Sequence, residues 1–127
     1  MTDNVKIESI GQIAIAISDV EQSIRFYRDV LGLTLLFQAP PGLAFFQCGN
    51  IRLMLTTPQG DTKDHKTSVI YYKVDDIEYA AEIIRGKGIT FVRDPQLTAT
   101  LADHELWIGF LRDPDENLIG LMAEVPL

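Results

Sequence analysis

The chain has 127 residues, of which 46% are hydrophobic and 23% charged, with a net charge of −7. This size and composition predict one folded domain, residues 1–127, with a core of its own. The negative charge argues against nucleic acid and against anionic membrane surfaces as partners, because both require clustered Lys and Arg. The single cysteine, Cys48, excludes an internal disulfide, and the first residues show no signal-peptide pattern, so we expect a reducing, cytoplasmic location.

A first β-α-β-β-β unit is predicted over residues 8–57. Isoleucine alternates with small or polar residues over 10–17, which predicts a strand with one apolar face. Ser18 and Glu21 then have the spacing of a capping box, and apolar residues at helical spacing continue as far as Gly32. Three short strands follow, at 33–37, 43–48 and 51–56.

The same order of elements recurs over residues 67–125, after a polar linker predicted at 58–66. Asp75 and Glu78 repeat the capping box before a helix that ends near Gly86. The remaining elements are predicted as strands at 69–74, 89–92, 105–111 and 118–124, with a long loop at 94–102. Because one such unit has too little core to be stable alone, the repeat predicts an α+β fold in which two units form a curved mixed sheet around a central cleft.

Two segments resemble one known family. The segment from Ser18 to Gly32 is similar to the first helix of the vicinal oxygen chelate superfamily, which has the glyoxalase/bleomycin-resistance/extradiol dioxygenase fold. Residues 110–115 with Asn117 resemble its final hairpin, where the family usually has Gly at the position of Glu116. We therefore expect a mildly strained, positive φ at Glu116. The resemblance covers about residues 10–124 and implies the fold more strongly than any function.

The resemblance also implies where a metal would be bound. The four ligand positions of the metal-dependent members fall on Gln12, Met54, Val69 and Gly120. Strand alternation places these residues on the face opposite the apolar stripes, which is the inner side of the cleft. Only Gln12 offers an oxygen, and hard divalent ions need several carboxylate, imidazole or water ligands. We therefore predict no bound metal and no cofactor, as in the metal-free binding members.

Other residues on the inner face are candidates for ligand contact. Arg52 could pair with a carboxylate or phosphate, Trp107 could be a platform for a planar ligand, and Tyr71 lines the same face. Each has a simpler structural interpretation. Met54, Val69 and Trp107 could belong to the core, and Arg52 could form an ion pair at the end of a strand.

The cluster Asp103-His104-Glu105 is the one with catalytic potential. A histidine beside carboxylates can move protons near neutral pH, so His104 and Glu105 are the candidate catalytic residues. Alternation along a strand points their side chains to opposite sides, and the alternative is a solvated entry to the strand.

Together these features predict a metal-independent small-molecule binder of unknown ligand, with the ligand on the concave face between the units. The alternative is a lyase, isomerase or dioxygenase-type enzyme of the same superfamily, which would use His104, Glu105 or an atypical metal site. We also expect a homodimer, because the family favours this state and both sheets have open edges.

Overall fold

The computed structural model describes residue 6, residues 8–57 and residues 68–127. The first unit contains strand β1 (Gln12–Ala16), helix α1 (Val20–Ile24), a π-helical continuation (Arg25–Val30) and strands β2 (Thr34–Ala39), β3 (Leu43–Cys48) and β4 (Ile51–Thr56). The second unit contains β5 (Ile70–Lys73), α2 (Ile77–Gly86), β6 (Arg93–Thr100), β7 (His104–Arg112) and β8 (Leu118–Pro126). The predicted repeat of β-α-β-β-β is confirmed, while the predicted linker at 58–66 lies outside the described residues.

Each unit forms its own open four-stranded sheet. The strand orders are β1-β4-β3-β2 and β5-β8-β7-β6. In each sheet the first and last strands of the unit pair in parallel, with Gln12 beside Arg52 and Tyr71 beside Gly120. The other pairs are antiparallel. The matching strand orders show that the two units share one topology, which is the α+β fold that the sequence predicts.

The helices cover one face of the sheets. The fully buried side chains include Tyr27, Phe46, Leu53, Leu55 and Leu111. Core residues of both units belong to one apolar cluster. The two units therefore share a core that neither could build alone. Among the described residues, no helix has the length and apolar character needed to cross a membrane.

Both helices begin one residue later than the sequence analysis predicts. The Asp19 carboxylate accepts from the backbone N–H of Gln22 at 3.0 Å, and Asp76 accepts from that of Tyr79 at 3.1 Å. The predicted caps at Ser18 and Asp75 are therefore wrong. The backbone is still extended at Asp19 and Asp76, which suits an N-cap whose carboxylate bonds an unpaired amide of the first turn.

Strand β6 lies where a loop was predicted, and the strand predicted at 89–92 is wrong. Ile89 and Phe91 pack against the core, and Phe91 is only 8% exposed, whereas Val92 is 56% exposed, so this segment places two side chains in the core without forming a strand. The polar segment that follows it is an edge strand that pairs only with β7. An edge position tolerates Pro95 and the two register shifts seen there, which explains why the pattern resembles a loop.

A buried carboxylate links the two units. Asp113, in the turn between β7 and β8, is 3% exposed. Its Oδ2 accepts from the Tyr27 hydroxyl of the first unit and from the Asn117 side-chain amide, both at 2.8 Å. Its Oδ1 accepts the backbone N–H groups of Asp115 and Asn117, both at 2.9 Å. Four donors thus satisfy a charge that would be costly to bury unpaired.

The two donors at Oδ2 connect this carboxylate to the rest of the molecule. The Asn117 amide also donates to the Ala16 carbonyl at the end of β1, at 3.0 Å. Burial, and next the charge of Asp113, raise the pKa of Tyr27 above its ordinary value, so its hydroxyl keeps the donated proton through neutral pH.

Glu116 lies in the same turn and has a φ of +68°. The positive φ predicted at this residue is therefore confirmed. The left-handed region is unfavourable for a residue with a Cβ and is where glycine is usually found.

We predict that Tyr27→Phe lowers the free energy of unfolding by about 1–2 kcal/mol, because it removes one donor from the buried Asp113 carboxylate. Urea unfolding would measure the change. Tyr79→Phe is the matched control, since Tyr79 is 64% exposed. Equal stability of the two variants would contradict the role given to the Tyr27 hydroxyl.

We predict that Glu116→Gly raises the free energy of unfolding by about 0.5–1 kcal/mol, because glycine adopts a positive φ without strain. Glu116→Ala removes the same side-chain carboxylate but keeps the Cβ. If alanine stabilised the protein as much as glycine in thermal unfolding, the backbone conformation would not be the cause.

Candidate functional site

The sheet faces turned away from the helices, called the inner faces below, carry most of the predicted site residues. In the first sheet, the register aligns Gln12 and Arg52 in one row across β1 and β4. The next row contains Ala14 and Met54, with Phe45 of β3. The small Ala14 is exposed, so this inner face is open above the sheet.

Arg52 is held by its neighbours on this face. Its Nε donates to Gln12 Oε1 at 2.8 Å, and its guanidinium carbon lies 5.4 Å from the centre of the Phe45 ring. Phe45 in turn stacks on Phe37, with 4.6 Å between ring centres. The Gln12 amide also contacts the Met54 sulfur at 3.6 Å. A guanidinium, an amide and an aromatic pair therefore form one continuous surface.

The inner face of the second sheet is centred on Tyr71. Gly120 lies between Tyr71 of β5 and Phe110 of β7. The Tyr71 and Phe110 rings meet edge to face, with 5.8 Å between their centres. A Cβ added at Gly120 would lie only 2.9 Å from Tyr71 Cγ, so the tyrosine ring fills the space above the glycine.

A cavity of about 400 Å³ opens in front of this sheet. It is lined by Tyr71, Arg93, Gln96, Leu97, Thr98, Ile108 and Phe110. Its volume and its mixture of apolar side chains with a few polar ones are typical of small-molecule sites. Arg93 makes no ion pair with any described residue, so its charge is free at the rim.

Trp107 is not on an inner face, and the prediction that placed it there is wrong. It lies opposite Ala123, which is fully buried, and it packs against the core. Its indole Nε1 donates to Glu105 at 3.2 Å, so Glu105 is on the same helix-covered side. The alternation within β7 was predicted correctly, but the two faces were exchanged.

The correct face could have been found from the β7–β8 turn. The turn at 113–117 places Arg112 opposite Leu118, and counting back two residues places Phe110 opposite Gly120. Phe110, Ile108 and Arg93 are thus inner-face residues that the sequence analysis missed. Phe37 and Phe45 were missed because β2 and β3 were not assigned to faces.

His104 lies at the far end of the second inner face. Its Nδ1 is 2.7 Å from Asp103, and its Nε2 is 3.4 Å from Glu124, which also pairs with Lys73 at 2.8 Å. The hydrogen bond to His104 holds the pKa of Asp103 below its usual range, and Lys73 does the same for Glu124. His104 and Glu105 point to opposite sides, as predicted, so they do not form one catalytic pair.

The donor set at the four implied metal positions does not fit a divalent ion. Gln12 is engaged by the Arg52 guanidinium, and a cation there would meet that charge at short range. Val69, which directly precedes β5 and is 40% exposed, has no donor atom, and Tyr71 covers Gly120. Within the described residues, no three His, Cys, Asp or Glu side chains come together as a metal site would need.

The contacts join the predicted ligand-binding residues in two groups. Gln12, Arg52 and Met54 form one group, and Tyr71 and Gly120 form the other. No hydrogen bond, ion pair or ring contact between described residues joins the two groups.

A second cavity, of about 320 Å³, lies between the units on the helix-covered side. Its lining is mainly aliphatic, with residues from the end of the first helical segment, from α2 and from the core side of β5. Cys48 and Tyr72 add a thiol and a ring, and burial raises the pKa of both groups. A thiol that resists ionisation is a poor nucleophile, so this cavity has no evident catalytic chemistry.

Solved structures with the same architecture are found in several bacteria. Lactoylglutathione lyase from Agrobacterium tumefaciens has a TM-score of 0.75 and 21% identity, with 92% of this chain and 94% of that chain covered. TnmS3, an antibiotic binding protein from Streptomyces sp. CB03234, has a TM-score of 0.75 and 20% identity, with 95% and 99% covered. At these identities the likeness concerns the fold alone.

Sequence comparison points the same way. The uncharacterized protein YraH of Bacillus subtilis (strain 168) is 25% identical over 126 residues, which cover 87% of this chain and 94% of YraH. A family model described as the Glyoxalase/Bleomycin resistance protein/Dioxygenase superfamily matches residues 9–121. The chain therefore belongs to the glyoxalase/bleomycin resistance protein/dioxygenase superfamily.

Proposed function

We propose that this protein is a metal-independent binder of a small organic molecule, which it holds on its inner faces. The observation that carries the proposal is the pair of open inner faces, which combine aromatic rings with Arg52 and Arg93, two arginines that form no ion pair with any described residue. Such surfaces provide apolar area and a few directional polar groups, as ligand sites do. The four implied metal positions supply no donor set that would favour metal chemistry instead.

A binding role is compatible with what this fold does elsewhere. TnmS3, one of the structural neighbours, is an antibiotic binding protein. Another neighbour is a lactoylglutathione lyase, so the fold by itself does not decide between binding and catalysis. The proposal for this chain depends on its own side chains.

The alternative, an enzyme in the same superfamily, depends on His104. His104 lies on the inner face with Nδ1 held by Asp103 at 2.7 Å, while Nε2 has no hydrogen-bond partner among the described residues. This nitrogen is buried and lies 3.4 Å from Glu124, so it would have to become exposed before it could accept a proton from a substrate. Glu105 is on the opposite side of β7, bonded to Trp107, and does not support this role.

We also propose that the protein acts as a cytoplasmic homodimer. Large apolar side chains of the edge strands β2 and β6 remain exposed, 44% at Leu36 and 46% at Leu97. The edge strands β2 and β6 each pair on one side only within the described residues. A second copy could cover this apolar area and these edges. A cytoplasmic location agrees with the single free thiol of Cys48.

We predict that native mass spectrometry of the protein from its own cells finds no stoichiometric metal and detects a retained organic molecule. Elemental analysis after dialysis would check the metal content independently. One metal ion per chain that is lost in Gln12→Ala would contradict the proposal. If the unmodified protein released the ligand in a chemically altered form and the His104→Gln variant released it unaltered, the enzymatic alternative would be favoured.

We predict that sedimentation equilibrium at micromolar concentration returns twice the chain mass of 14.2 kDa. The reason is the exposed apolar area described above, which a second copy would bury. Leu36→Ser should shift the equilibrium toward the monomer, whereas Tyr79→Ser, which changes an exposed ring on α2, should not. A mass of one chain for the unmodified protein would contradict the dimer.

A further inference from the structure

Arg52 is the only charged residue in the four strands of the first sheet. It forms no ion pair with any described residue, although the chain as a whole carries a net charge of −7. Other arginines do have carboxylate partners, as in the pairs Arg28–Asp29 and Arg85–Asp94. An exposed guanidinium that is both oriented and unneutralised is a ready partner for an anion.

The contacts of Arg52 leave one edge of its guanidinium free. Its Nε is occupied by Gln12 Oε1 at 2.8 Å, and its plane is held near the Phe45 ring. The two terminal nitrogens have no partner among the described residues. These two nitrogens form the end of the planar fork that binds both oxygens of a carboxylate.

The surroundings of this fork suit a flat apolar body. Phe37 is 49% exposed and stacks on Phe45, and the neighbouring Ala14 is small and exposed. No acidic residue lies on any strand of this sheet to compete for the guanidinium. A ligand with a carboxylate on a planar ring system could place its charge at Arg52 and its ring beside Phe37.

We propose that Arg52 is the anion-binding residue of this protein and that its ligand is a planar organic anion. The inference rests on the proposed small-molecule function and specifies its ligand class. The Arg52 guanidinium stands beside Gln12 and Met54, two of the four implied metal positions. A fixed monovalent cation there attracts an anionic group without needing acidic ligands of its own, and it repels a divalent ion from the same place.

The test uses 2-naphthoate as the probe and 2-naphthamide as its uncharged analogue of the same shape. Binding to the full-length protein is followed by NMR, through the Arg52 Nε–Hε signal and the Phe37 ring signals. We expect 2-naphthoate to shift both signals and to bind about tenfold or more tightly than 2-naphthamide. Arg52→Gln should weaken 2-naphthoate binding by about tenfold and leave 2-naphthamide binding nearly unchanged.

Matched variants separate the local effect from a change in net charge. Arg25→Gln removes the same charge from an exposed residue on the helix-covered side and should not alter binding. Gln12→Glu keeps Arg52 but places a carboxylate against its guanidinium, so it should weaken 2-naphthoate binding about as much as Arg52→Gln. Gln12→Ala removes the hydrogen bond to Arg52 without adding a charge, so it should weaken 2-naphthoate binding less than Gln12→Glu does. Unchanged melting temperatures would show that each variant is folded.

Equal binding of the two probes, or equal effects of Arg52→Gln and Arg25→Gln, would overturn the anion site while leaving a small-molecule site on the inner face intact. Absence of any shift at Arg52 and Phe37 would also overturn it. The proposed function fails by a separate measurement, the finding of a stoichiometric metal by mass spectrometry, so the two failures are distinguishable.

Discussion

The carboxylate of Asp113 is the group on which the arrangement of the two units most depends. It is buried, and it accepts four hydrogen bonds, one of them from Tyr27 of the other unit. A buried charge tolerates little displacement of its donors, because each lost bond leaves part of that charge unsatisfied. The turn between β7 and β8 is therefore held in one shape, with Glu116 in the left-handed region. Because this turn sets which residues of β7 and β8 are opposite, it also decides that Phe110 and Gly120 share an inner face.

The two faces of each sheet differ in the chemistry of their side chains. The helix-covered faces are aliphatic and aromatic and merge into one core. The inner faces combine aromatic rings with arginines that have no carboxylate partner among the described residues. In the first sheet, Arg52 on the inner face is the only charged residue of the four strands. Without a binding role, such faces would be unfavourable. An exposed apolar face favours aggregation, and an arginine without a carboxylate partner among the described residues does not stabilise the core.

The donor set at the four implied metal positions and the presence of Arg52 beside them both disfavour a divalent ion. A divalent ion would need anionic or imidazole ligands, whereas this chain offers an amide, a thioether and two positions without donors. The Arg52 guanidinium, which bonds to Gln12, supplies positive charge where a metal ion would otherwise supply it. On the second sheet, the ring of Tyr71 fills the space above Gly120. The proposed ligand site would thus hold an organic molecule by shape and charge.

Some features of this protein follow from the sequence by itself. The repeat of β-α-β-β-β and the apolar stripes could be predicted because they depend on local periodicity, and the positive φ at Glu116 followed from the resemblance of the final hairpin to that of the family. Tertiary structure decided the rest. The polar segment 93–100 is a strand because β7 offers it a partner, whereas the apolar segment 89–92 packs Ile89 and Phe91 against the core without pairing as a strand. Alternation showed that Trp107 and Phe110 are on opposite faces, but a period of two has no absolute phase. The pairing of β7 with β8 across the turn at 113–117, and the packing of Trp107 against the core, determined which of the two faces the site.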